Sequence, residues 1–306
     1  MRLSRKCRCH GIVNSLLAVA LFLTAGWTGA QAVSVTDDAG RRVALPAPAT
    51  RVITLSPALT ELVHAAGGGS RLVGVVEHSD YPEAARDLPR VGDALAFQLE
   101  RILALQPDLI LAWQRGNNPR QLERLAELGI PIYYSHIDRL EEVGSTLERL
   151  GVLLASPAQA AADDFRRRLS RLGPAGGAAA AAPIRVLYQV WAQPLMTING
   201  RHVISDLIAR CGGVNVFAAE SSLVPQIGIE SVIAAAPQAI IAAAAGGAGE
   251  GSNPLEHWRR YGAIPAVAGD FLFLVDGDAI SRPGPRMVEA GEVICRRLDA
   301  VRQRLR

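Results

Sequence analysis

Apolar and polar positions along this chain follow two periods in turn. Short runs that are almost wholly apolar, such as 109–113 and 239–243, have the length and composition of strands buried in a sheet. The stretches between them place apolar residues three to four positions apart, which is the period of a helix with one buried face. Strand and helix signals that alternate in this way predict parallel sheets covered by helices. The expected class is therefore α/β with Rossmann-like units.

The same pattern gives approximate bounds for the elements. The three glycines after position 66 are typical of the end of a helix, and Ser56-Pro57 is typical of a turn before one. The predicted strands are 51–55, 72–76, 109–113, 132–134, 185–190, 239–243 and 272–275. The predicted helices are 58–66, a short one from 100, 119–128, 205–210, 230–235 and 286–305.

One phrase of the sequence occurs twice, about 130 residues apart. In the segments 99–110 and 229–240, a Glu (Glu100 or Glu230) opens a short apolar helix, a Pro follows seven residues later, and an apolar strand comes next. Two copies are too few for a solenoid. The repeat therefore predicts two similarly built lobes, each carrying one acidic residue at the same structural place.

A different pattern separates the two lobes. Residues 140–172 carry one long helical pattern with Ser156-Pro157 as its expected break, and the Gly/Ala-rich tract 173–182 resembles a linker. We therefore expect an N-terminal lobe at 33–138, an interlobe helix with its linker at 139–182, and a C-terminal lobe at 183–306. A single chain crossing built on one long rigid helix would make a stiff connection between the lobes.

The N-terminus has the pattern of an export signal. Four basic residues fall within the first eight positions, 11–25 is mostly apolar, and Ala30-Gln31-Ala32 offers the small residues that a signal peptidase needs. The alternative is a retained membrane anchor, but the run is shorter than the roughly 20 apolar residues of a spanning helix. The prediction is a cleaved signal peptide at 1–32 and a mature protein in the periplasm.

Removing the leader changes the charge argument. The formal net charge of +3 includes the four basic residues of the leader, so the mature chain comes to −1. A basic balance that disappears in this way gives no reason to expect nucleic acid as a partner.

Cysteine usage agrees with an oxidising compartment. Cys7 and Cys9 leave with the leader, and Cys211 and Cys295 remain. One pair in an exported protein favours a disulfide, which would tie the first helix of the second lobe to the C-terminal helix. Two buried free thiols are the alternative.

Catalytic motifs are missing from the sequence. It contains no phosphate-binding loop, no Gly-x-Ser-x-Gly elbow and no His-Glu-x-x-His zinc signature, and the His residues of the mature chain are scattered. These observations favour a binding protein without a cofactor or a resident metal over an enzyme. In the enzyme alternative, Asp278, His78 and Tyr81 would be the candidates for general acid or base.

The loops that follow the predicted strands are the candidate ligand site. Ligands of doubly wound sheets lie beyond the carboxyl ends of the strands, so these loops should face the gap between the lobes. Aromatic residues make up only 5% of the chain, yet Tyr81, Trp113 and Trp191 all fall in such loops. We therefore expect a broad apolar ligand with a polar edge. For each aromatic side chain taken singly, packing in the core is the alternative.

Several stretches, in order along the chain, resemble the cobalamin (vitamin B12) periplasmic binding proteins. These proteins belong to the wider class of iron-siderophore, haem and B12 binding proteins of ABC transporters. The matching stretches cover almost the whole mature chain: 51–62 (RVITLSPALTEL), 79–82 (SDYP), 99–102 (LERI), 107–113 with its Pro-Asp-Leu-Ile and Ala-Trp, 211–217 (CGGVNVF) and 282–286 (RPGPR).

The resemblance implies a fold and a role. It implies a class III periplasmic binding protein, with two α/β lobes bridged by a rigid helix, that binds cobalamin in the interlobe cleft. The expected partners are the corrinoid and an inner-membrane ABC permease with its ATPase, and the expected state is a monomer. In this class a Glu on the rim of each lobe meets Arg residues of the permease, and by position these are Glu100 and Glu230. The alternative is that each Glu only favours the N-terminus of its helix.

The resemblance also implies ligand contacts, although the match is incomplete. Asp278 and Arg282 match a polar segment at the corrin edge, Trp113 matches a cleft aromatic, and Ser56 with Pro57 matches the first-strand loop. Two Trp of the family align with Ala94 and Val224, and a Tyr aligns with His78, so the pocket is expected to be less aromatic. Phe97, Trp191 and Met196 are the candidates to restore contact area. The expected ligand-binding set is Ser56, Pro57, His78, Tyr81, Phe97, Trp113, Trp191, Met196, Asp278 and Arg282.

His78 is where the possible ligands differ. Haem carriers of the class hold iron through Tyr or His, and an imidazole in a cleft loop is able to ligate either haem iron or corrin cobalt. Haem is therefore the first alternative ligand, with His78 as axial ligand of the bound metal. An iron-siderophore complex is the next, but Arg115 and Arg282 are too few cations to favour it.

Overall fold

Two four-stranded parallel sheets organise the chain in the computed structural model, which describes residues 31–174, 182–244 and 253–306. The predicted leader at 1–32 lies almost wholly outside the described residues, as does most of the Gly/Ala-rich linker. The first lobe below is the N-terminal sheet with its helices, and the second lobe is the C-terminal sheet with its helices. The limits 33–138 and 183–306 for the two lobes stay predictions.

The first lobe begins with a hairpin that the sequence pattern did not predict. Strands β1 (Val33–Thr36) and β2 (Arg42–Leu45) pair antiparallel, and the Asp37 carboxylate accepts hydrogen bonds from the Ala39 and Arg41 amides in the turn. The sheet that follows has the order β4-β3-β5-β6. Its strands are β3 (Val52–Thr54), β4 (Leu72–Val75), β5 (Leu109–Trp113) and β6 (Ile132–Ser135), and its helices are α1 (Pro57–Ala65), α2 (Leu99–Ala104) and α3 (Pro119–Glu127).

The connection between the lobes consists of two helices, which corrects the prediction of one long rigid helix. Helix α4 (Glu141–Leu154) ends at Ala155, whose φ is 45°, and α5 (Gln159–Leu169) begins after the predicted break at Ser156-Pro157. A Pro has no amide hydrogen and disfavours helical backbone in the residue before it, so the helix stops there. The two helices pack together, and Arg166 of α5 holds Glu148 of α4 through two bonds of 2.6 and 2.7 Å.

The second lobe repeats the architecture of the first. Its sheet has the order β10-β7-β11-β12, and a short hairpin, β8-β9, follows the first strand. The strands are β7 (Ile184–Gln189), β8 (Trp191–Ala192), β9 (Leu195–Met196), β10 (Gly213–Asn215), β11 (Ala239–Ala243) and β12 (Leu272–Val275). The helices are α6 (Val203–Arg210), α7 (Ile229–Ala235), α8 (Pro265–Ala268), α9 (Gly277–Ser281) and α10 (Met287–Arg304).

The internal repeat appears as equivalent contacts in the two lobes. With the strands of each sheet numbered as they occur along the chain, both sheets have the spatial order 2-1-3-4. In each lobe the helix that carries the repeated Glu leads into the third strand. Arg51 donates to the carbonyl of Leu105 just after α2 at 2.6 Å, and Arg185 donates in the same way to the carbonyl of Ala235 at the end of α7. The helices α2 and α7 are therefore attached to their sheets by the same device.

One hydrophobic core runs through both lobes. Along β5, Leu109 and Leu111 point into a core shared with the second lobe and with α4 and α5, whereas Ile110 packs into a core on the opposite face. The side chains of strand β11 alternate in the same manner, with Ile241 in the shared core and Ile240 in a core on the opposite face of the sheet. Both sheets are thus buried on both faces, which explains why their strands are continuous apolar runs.

The predicted disulfide is confirmed. Cys211, just after α6, is bonded to Cys295 in α10 over a sequence separation of 84 residues. In the chain-entropy description a loop of this length stabilises the fold by about 4 to 5 kcal/mol. None of the helices in the described ranges is long and apolar enough to cross a membrane.

His202 makes the stability of the second lobe depend on pH. It is the N-cap of α6, where its Nδ1 accepts a hydrogen bond from the Ile204 amide at 3.2 Å. Burial lowers the pKa of His202 from 6.5 to about 4, against a smaller opposing effect of Asp138. Because the folded protein holds this imidazole neutral, its contribution is complete above pH 6.5 and is lost as the pH falls toward 4.

We expect the free energy of unfolding to fall by about 2 kcal/mol between pH 7.5 and pH 5 through this residue, as a shift of this size implies. Urea denaturation at the two pH values measures it. His202→Asn keeps an acceptor at the N-cap and cannot become charged. An equal loss of stability in the wild type and in His202→Asn would assign the pH dependence to other groups.

Candidate ligand-binding cleft

Residues of both lobes line one cavity, which lies at the carboxyl ends of strands of the first lobe. In the first lobe, the lining comes from Ser56 in the turn after β3 and from Trp113 and Ser135, the last residues of β5 and β6. In the second lobe, the end of α9 and the turn after it contribute Ser281 and Arg282. The cavity measures about 180 Å³ and has a mostly apolar lining that includes Pro57, Ala58, Leu59, Leu62, Ile137 and Pro283.

A buried hydroxyl cluster holds the first-strand loop in place. Thr54 at the end of β3 and Thr60 in α1 are joined by a hydrogen bond of 2.7 Å between their hydroxyls, and Thr60 donates to the Ser79 hydroxyl at 3.1 Å. All three residues are buried. The bonds link β3, α1 and the loop after β4, and they set the start of α1, where Ser56 and Pro57 line the cavity.

Asn117 ties three cleft loops together. Its side-chain amide donates to the carbonyls of Leu55 and Ala94 at 2.8 and 2.6 Å, and its Oδ1 accepts the Trp113 amide at 2.6 Å. The residue is almost fully buried. Sequence reasoning missed Asn117 because nothing in a single Asn within a loop indicates three distant backbone partners.

Trp113 lies at the end of β5 with its ring directly over Gly116. A Cβ built on Gly116 would come within 2.0 Å of two carbons of the indole. Only Gly therefore allows this ring position. The Trp113 side chain stays 45% exposed at the mouth of the cavity, so one face of the indole is available to a ligand.

A second, larger cavity lies at the carboxyl edge of the second sheet. It measures about 770 Å³, and among the described residues its lining comes from the ends of β7 and β11, the β8-β9 hairpin and the segment 253–260. Trp191 on this hairpin is 63% exposed, and its indole N–H donates to the Gln193 carbonyl at 2.8 Å. Met196 is paired directly opposite Trp191 across the hairpin. These two predicted residues therefore share one face of the second lobe.

An ion-pair cluster connects the lobes beside the smaller cavity. Arg282 donates to Glu61 and Asp80 of the first lobe at 3.1 and 2.7 Å, and it pairs with Asp278 of its own lobe at 2.9 Å. Arg286 holds Glu61 through two bonds of 2.9 and 2.6 Å. The three carboxylates and two guanidinium groups carry a formal net charge of −1. We call these five residues the interlobe cluster.

The interlobe cluster changes the titration of its members. Burial alone would raise the pKa of Asp80, but the hydrogen bond and charge of Arg282 outweigh it and lower the pKa below its usual range. The hydrogen bond to Glu61 raises the pKa of Arg286 above its usual range, although burial opposes the shift. Burial would lower the pKa of Arg282, but its hydrogen bonds to Asp80 and Glu61 outweigh it and raise the pKa above its usual range.

The structure brings some of the predicted ligand residues together and separates others. Ser56, Pro57, Trp113 and Arg282 line the interlobe cavity, and Asp278 joins Arg282 with its carboxylate partly exposed. Phe97 does not line this cavity. Its side chain is only 3% exposed and packs in the core on the outer face of the first sheet, because the chain turns inward before α2.

Tyr81 and His78 lie apart from the interlobe cavity. The Tyr81 ring stacks on the Arg286 guanidinium, whose central carbon is 4.0 Å from the ring centre, and lines a third cavity of about 350 Å³ together with Glu61 and His64. His78 is exposed on the loop after β4 and has a φ of 63°. A positive φ is uncommon for residues other than Gly, but His is among the types that adopt it more often.

The two repeated acids are accessible. Glu100 and Glu230 lie in the first turns of α2 and α7, and both side chains are exposed. Within the described part of the chain, neither carboxylate takes part in an ion pair. The described residues also contain no group of three or more His, Cys, Asp or Glu placed to hold a metal ion.

The chain belongs to the periplasmic binding protein family, whose pattern matches residues 52–279. The vitamin B12-binding protein of Vibrio cholerae serotype O1 is 40% identical over 257 residues, which covers 83% of this chain and 90% of that protein. The vitamin B12-binding protein of Yersinia pestis (strain Pestoides F) is 38% identical over 260 residues, which covers 84% of this chain and 89% of that protein. These relatives are named as binding proteins.

Solved structures agree with the fold class, which is confirmed as class III. The crystal structure of the periplasmic vitamin B12 binding protein BtuF of Vibrio cholerae matches with a TM-score of 0.74 at 38% identity, over 83% of this chain and 98% of that one. The periplasmic heme-binding protein RhuT from Roseiflexus sp. RS-1 matches with a TM-score of 0.66 at 21% identity, over 83% of this chain and 99% of that one. The second likeness shows the fold alone.

Replacing Asn117 should loosen the cleft loops of the first lobe. Asn117→Ala leaves two carbonyls and the Trp113 amide without their partner, so we expect a loss of roughly 2 kcal/mol or more in stability. Trp113 emission should shift and become easier to quench. The control Asn118→Ala removes only the N-cap of α3 and should cost about 1 kcal/mol without a change at Trp113. The same quenching in both variants would mean that Asn117 does not hold the Trp113 loop.

Proposed function

We propose that this chain is the periplasmic solute-binding component of an ABC importer and that it binds cobalamin between its lobes. The observation that carries the proposal is one cavity lined by both lobes, with Trp113 on one side and Arg282 on the other, in a chain 40% identical to a vitamin B12-binding protein. The predicted leader and the family suit export to the periplasm and action as a monomer.

The exposed aromatic rings suit a flat, broad ligand. Trp113 and Trp191 each present an indole at the carboxyl edge of its sheet, where stacking on a ring gives contact area with a defined geometry. The interlobe cavity is smaller than the roughly 300 to 1,000 Å³ of most ligand pockets. A corrin would therefore lie across the mouth of this cavity, with only one edge entering it.

The charge of the interlobe cluster favours a ligand with a neutral periphery. Arg282 points at the cavity, but its cation is already compensated by three carboxylates. An anionic siderophore would meet a cluster of net charge −1 there, which disfavours its binding. The amide side chains of a corrin would instead donate to the partly exposed Asp278, a contact that needs no compensating cation.

Haem is the second candidate ligand, and one observation favours it. His78 is exposed on the loop after β4, the loop that also carries Asp80 of the interlobe cluster. An imidazole there is suited to ligate haem iron. An enzyme acting on a tetrapyrrole is the third possibility, and turnover of the bound ligand would reveal it.

Delivery would use the two repeated acids. Glu100 and Glu230 are exposed, free of ion pairs among the described residues, and held on helices that are attached to their sheets by the same Arg contact. Two charges fixed far apart in sequence on similar lobes are suited to orient the receptor on a permease. The permease and its ATPase would supply the work of transport.

Titration of the mature protein, residues 33–306, with cyanocobalamin and separately with hemin tests the ligand. We expect tight one-to-one cobalamin binding by calorimetry and no shift of the hemin Soret band. Changing Trp113→Ala together with Asp278→Asn should weaken cobalamin binding by roughly tenfold or more, as for central contacts of a binding site. An unchanged affinity in this variant would move the ligand site elsewhere.

The same titration, repeated with a variant of His78, distinguishes a cobalamin carrier from a haem carrier. His78→Asn tolerates the positive φ better than Ala does and removes the imidazole. For a cobalamin carrier the affinity should change little. A Soret shift in the wild type that disappears in His78→Asn would identify a haem carrier and would reject cobalamin as the ligand.

Charge reversal at both repeated acids should prevent docking without affecting the ligand. In proteoliposomes with the cognate permease, Glu100→Arg with Glu230→Arg should lower receptor-stimulated ATP hydrolysis by about tenfold or more, since like charges now face each other. Cobalamin affinity should stay at the wild-type value. Glu127→Arg, an equally exposed acid in α3, is the control. Full stimulation by the double variant would leave Glu100 and Glu230 with only their favourable effect on the helix N-termini.

A further inference from the structure

Glu61 is a buried acid whose partners all come from the other lobe. It lies in the second turn of α1 and is only 3% exposed. Its Oε1 accepts hydrogen bonds from Arg282 at 3.1 Å and Arg286 at 2.6 Å, and its Oε2 accepts one from Arg286 Nε at 2.9 Å. A buried carboxylate without such partners would be strongly disfavoured. The first lobe therefore depends on the second for the burial of this charge.

The positions of the two arginines, Arg282 at the end of α9 and Arg286 at the start of α10, suit this contact better than they suit the start of α10. Arg286 is the N-cap of the 18-residue helix α10, where the helix dipole disfavours a cation. Pro283 and Pro285 lie between Arg282 and Arg286, and their fixed φ angles restrict the turn that presents both side chains to the first lobe. The unfavourable position of Arg286 is compensated by the two-pronged contact with Glu61.

A second set of contacts recruits the loop after β4. Asp80 accepts from Arg282 at 2.7 Å, and the Tyr81 ring lies 4.0 Å from the central carbon of Arg286. Ser79 in the same loop is bonded to Thr60, one residue before Glu61. The loop that carries His78 is thereby attached to the second lobe as well as to α1.

The cluster lies between two cavities. Arg282 lines the interlobe cavity together with Ser56 and Pro57, whereas Glu61 and Arg286 line the third cavity on the other side. The ion pairs therefore form the floor of the cleft. Separation of the lobes along this floor would expose Glu61 and break a buried ion-pair network, which costs much more than breaking a surface pair.

We propose that Glu61 is a positioning residue of the cleft, which holds Arg282 and Arg286 across the lobe boundary and so sets the spacing between the two lobes. In this role Glu61 does not touch the ligand. It keeps the cavity mouth at the width that the ligand requires, so that the free protein is already in the binding-competent state. The part of the inference that concerns ligand affinity rests on the proposed function, whereas the part that concerns spacing does not.

The spacing is measured first, without any ligand. Spin labels at Glu127→Cys in the first lobe and Ala219→Cys in the second occupy exposed positions, and the two native cysteines of the mature chain are bonded to each other. Pulsed dipolar spectroscopy should show one narrow distance distribution in the labelled wild type. Glu61→Gln keeps the shape and removes the charge, and it should give a broader distribution that extends to longer distances.

Two further variants make the comparison specific. Glu61→Asp keeps the charge and should recover most of the narrow distribution. Glu148→Gln also breaks a two-bond Arg contact, but this contact joins α4 and α5 within the connection between the lobes, so its distribution should match the wild type. Thermal melts of all variants show how far overall stability has changed.

Ligand affinity is the second readout. If Glu61→Gln leaves about a tenth of the molecules in the competent spacing, the apparent cobalamin affinity should fall by about tenfold, with Glu61→Asp close to the wild type. A wild type that binds no cobalamin would reject the proposed function, while the distance measurement would still test Glu61. A lower melting temperature with unchanged distances and unchanged affinity would overturn the inference and leave Glu61 a purely structural residue.

Arg286→Lys tests the same contact if the Glu61→Gln variant does not fold. It keeps the positive charge and loses the planar fork that binds both carboxylate oxygens. The proposal expects a modest broadening of the distance distribution and a smaller loss of affinity than removal of the Glu61 charge would cause. A distribution identical to the wild type, with unchanged affinity, would contradict it.

Discussion

The parallel arrangement of both sheets is the constraint on which the rest of the molecule depends. Parallel strands need crossovers through helices, so all their carboxyl ends lie at one edge and all connecting loops of one kind lie there together. Because the two sheets share one strand order, each lobe places equivalent loops at its edge. The meeting of Ser56 and Trp113 in one cavity follows from this topology, and Arg282 reaches the same cavity from the turn after α9. Short connections are enough to bring these residues to the cavity.

Two interactions of different kinds resist movement of the lobes. The shared hydrophobic core continues from the first sheet through α4 and α5 to the second, so bending there would expose apolar surface. The interlobe cluster resists separation at the cleft floor, where Glu61 is bonded to both arginines. Neither depends on a long rigid helix. A stiff connection stays a prediction, and packing and buried charge are the interactions that would provide it in place of a single helix.

Local patterns predicted the longer elements, whereas both hairpins, strand β10 and the short helices α8 and α9 were not predicted. The strands 109–113, 239–243 and 272–275 have the predicted bounds because each is a wholly apolar run, and the first two are central strands buried on both faces. The β8-β9 hairpin was missed because its strands have only two residues each. Glu61 has the pattern of an ordinary polar residue on an amphipathic helix. Its burial depends on Arg282, 221 residues further along the chain.

The structure changes the role expected for Arg282 in the cleft. From the sequence, Arg282 is a candidate ligand contact, and a free guanidinium there would attract anions. In the folded protein its donors are directed to Glu61, Asp80 and Asp278, so the charge serves cohesion between the lobes before it serves a ligand. The positive potential that a siderophore or a haem propionate would need is thereby removed from this side of the cleft. Under the proposed function, selection of a neutral ligand would follow from the same ion pairs that join the lobes, and a change that weakens one property should weaken the other.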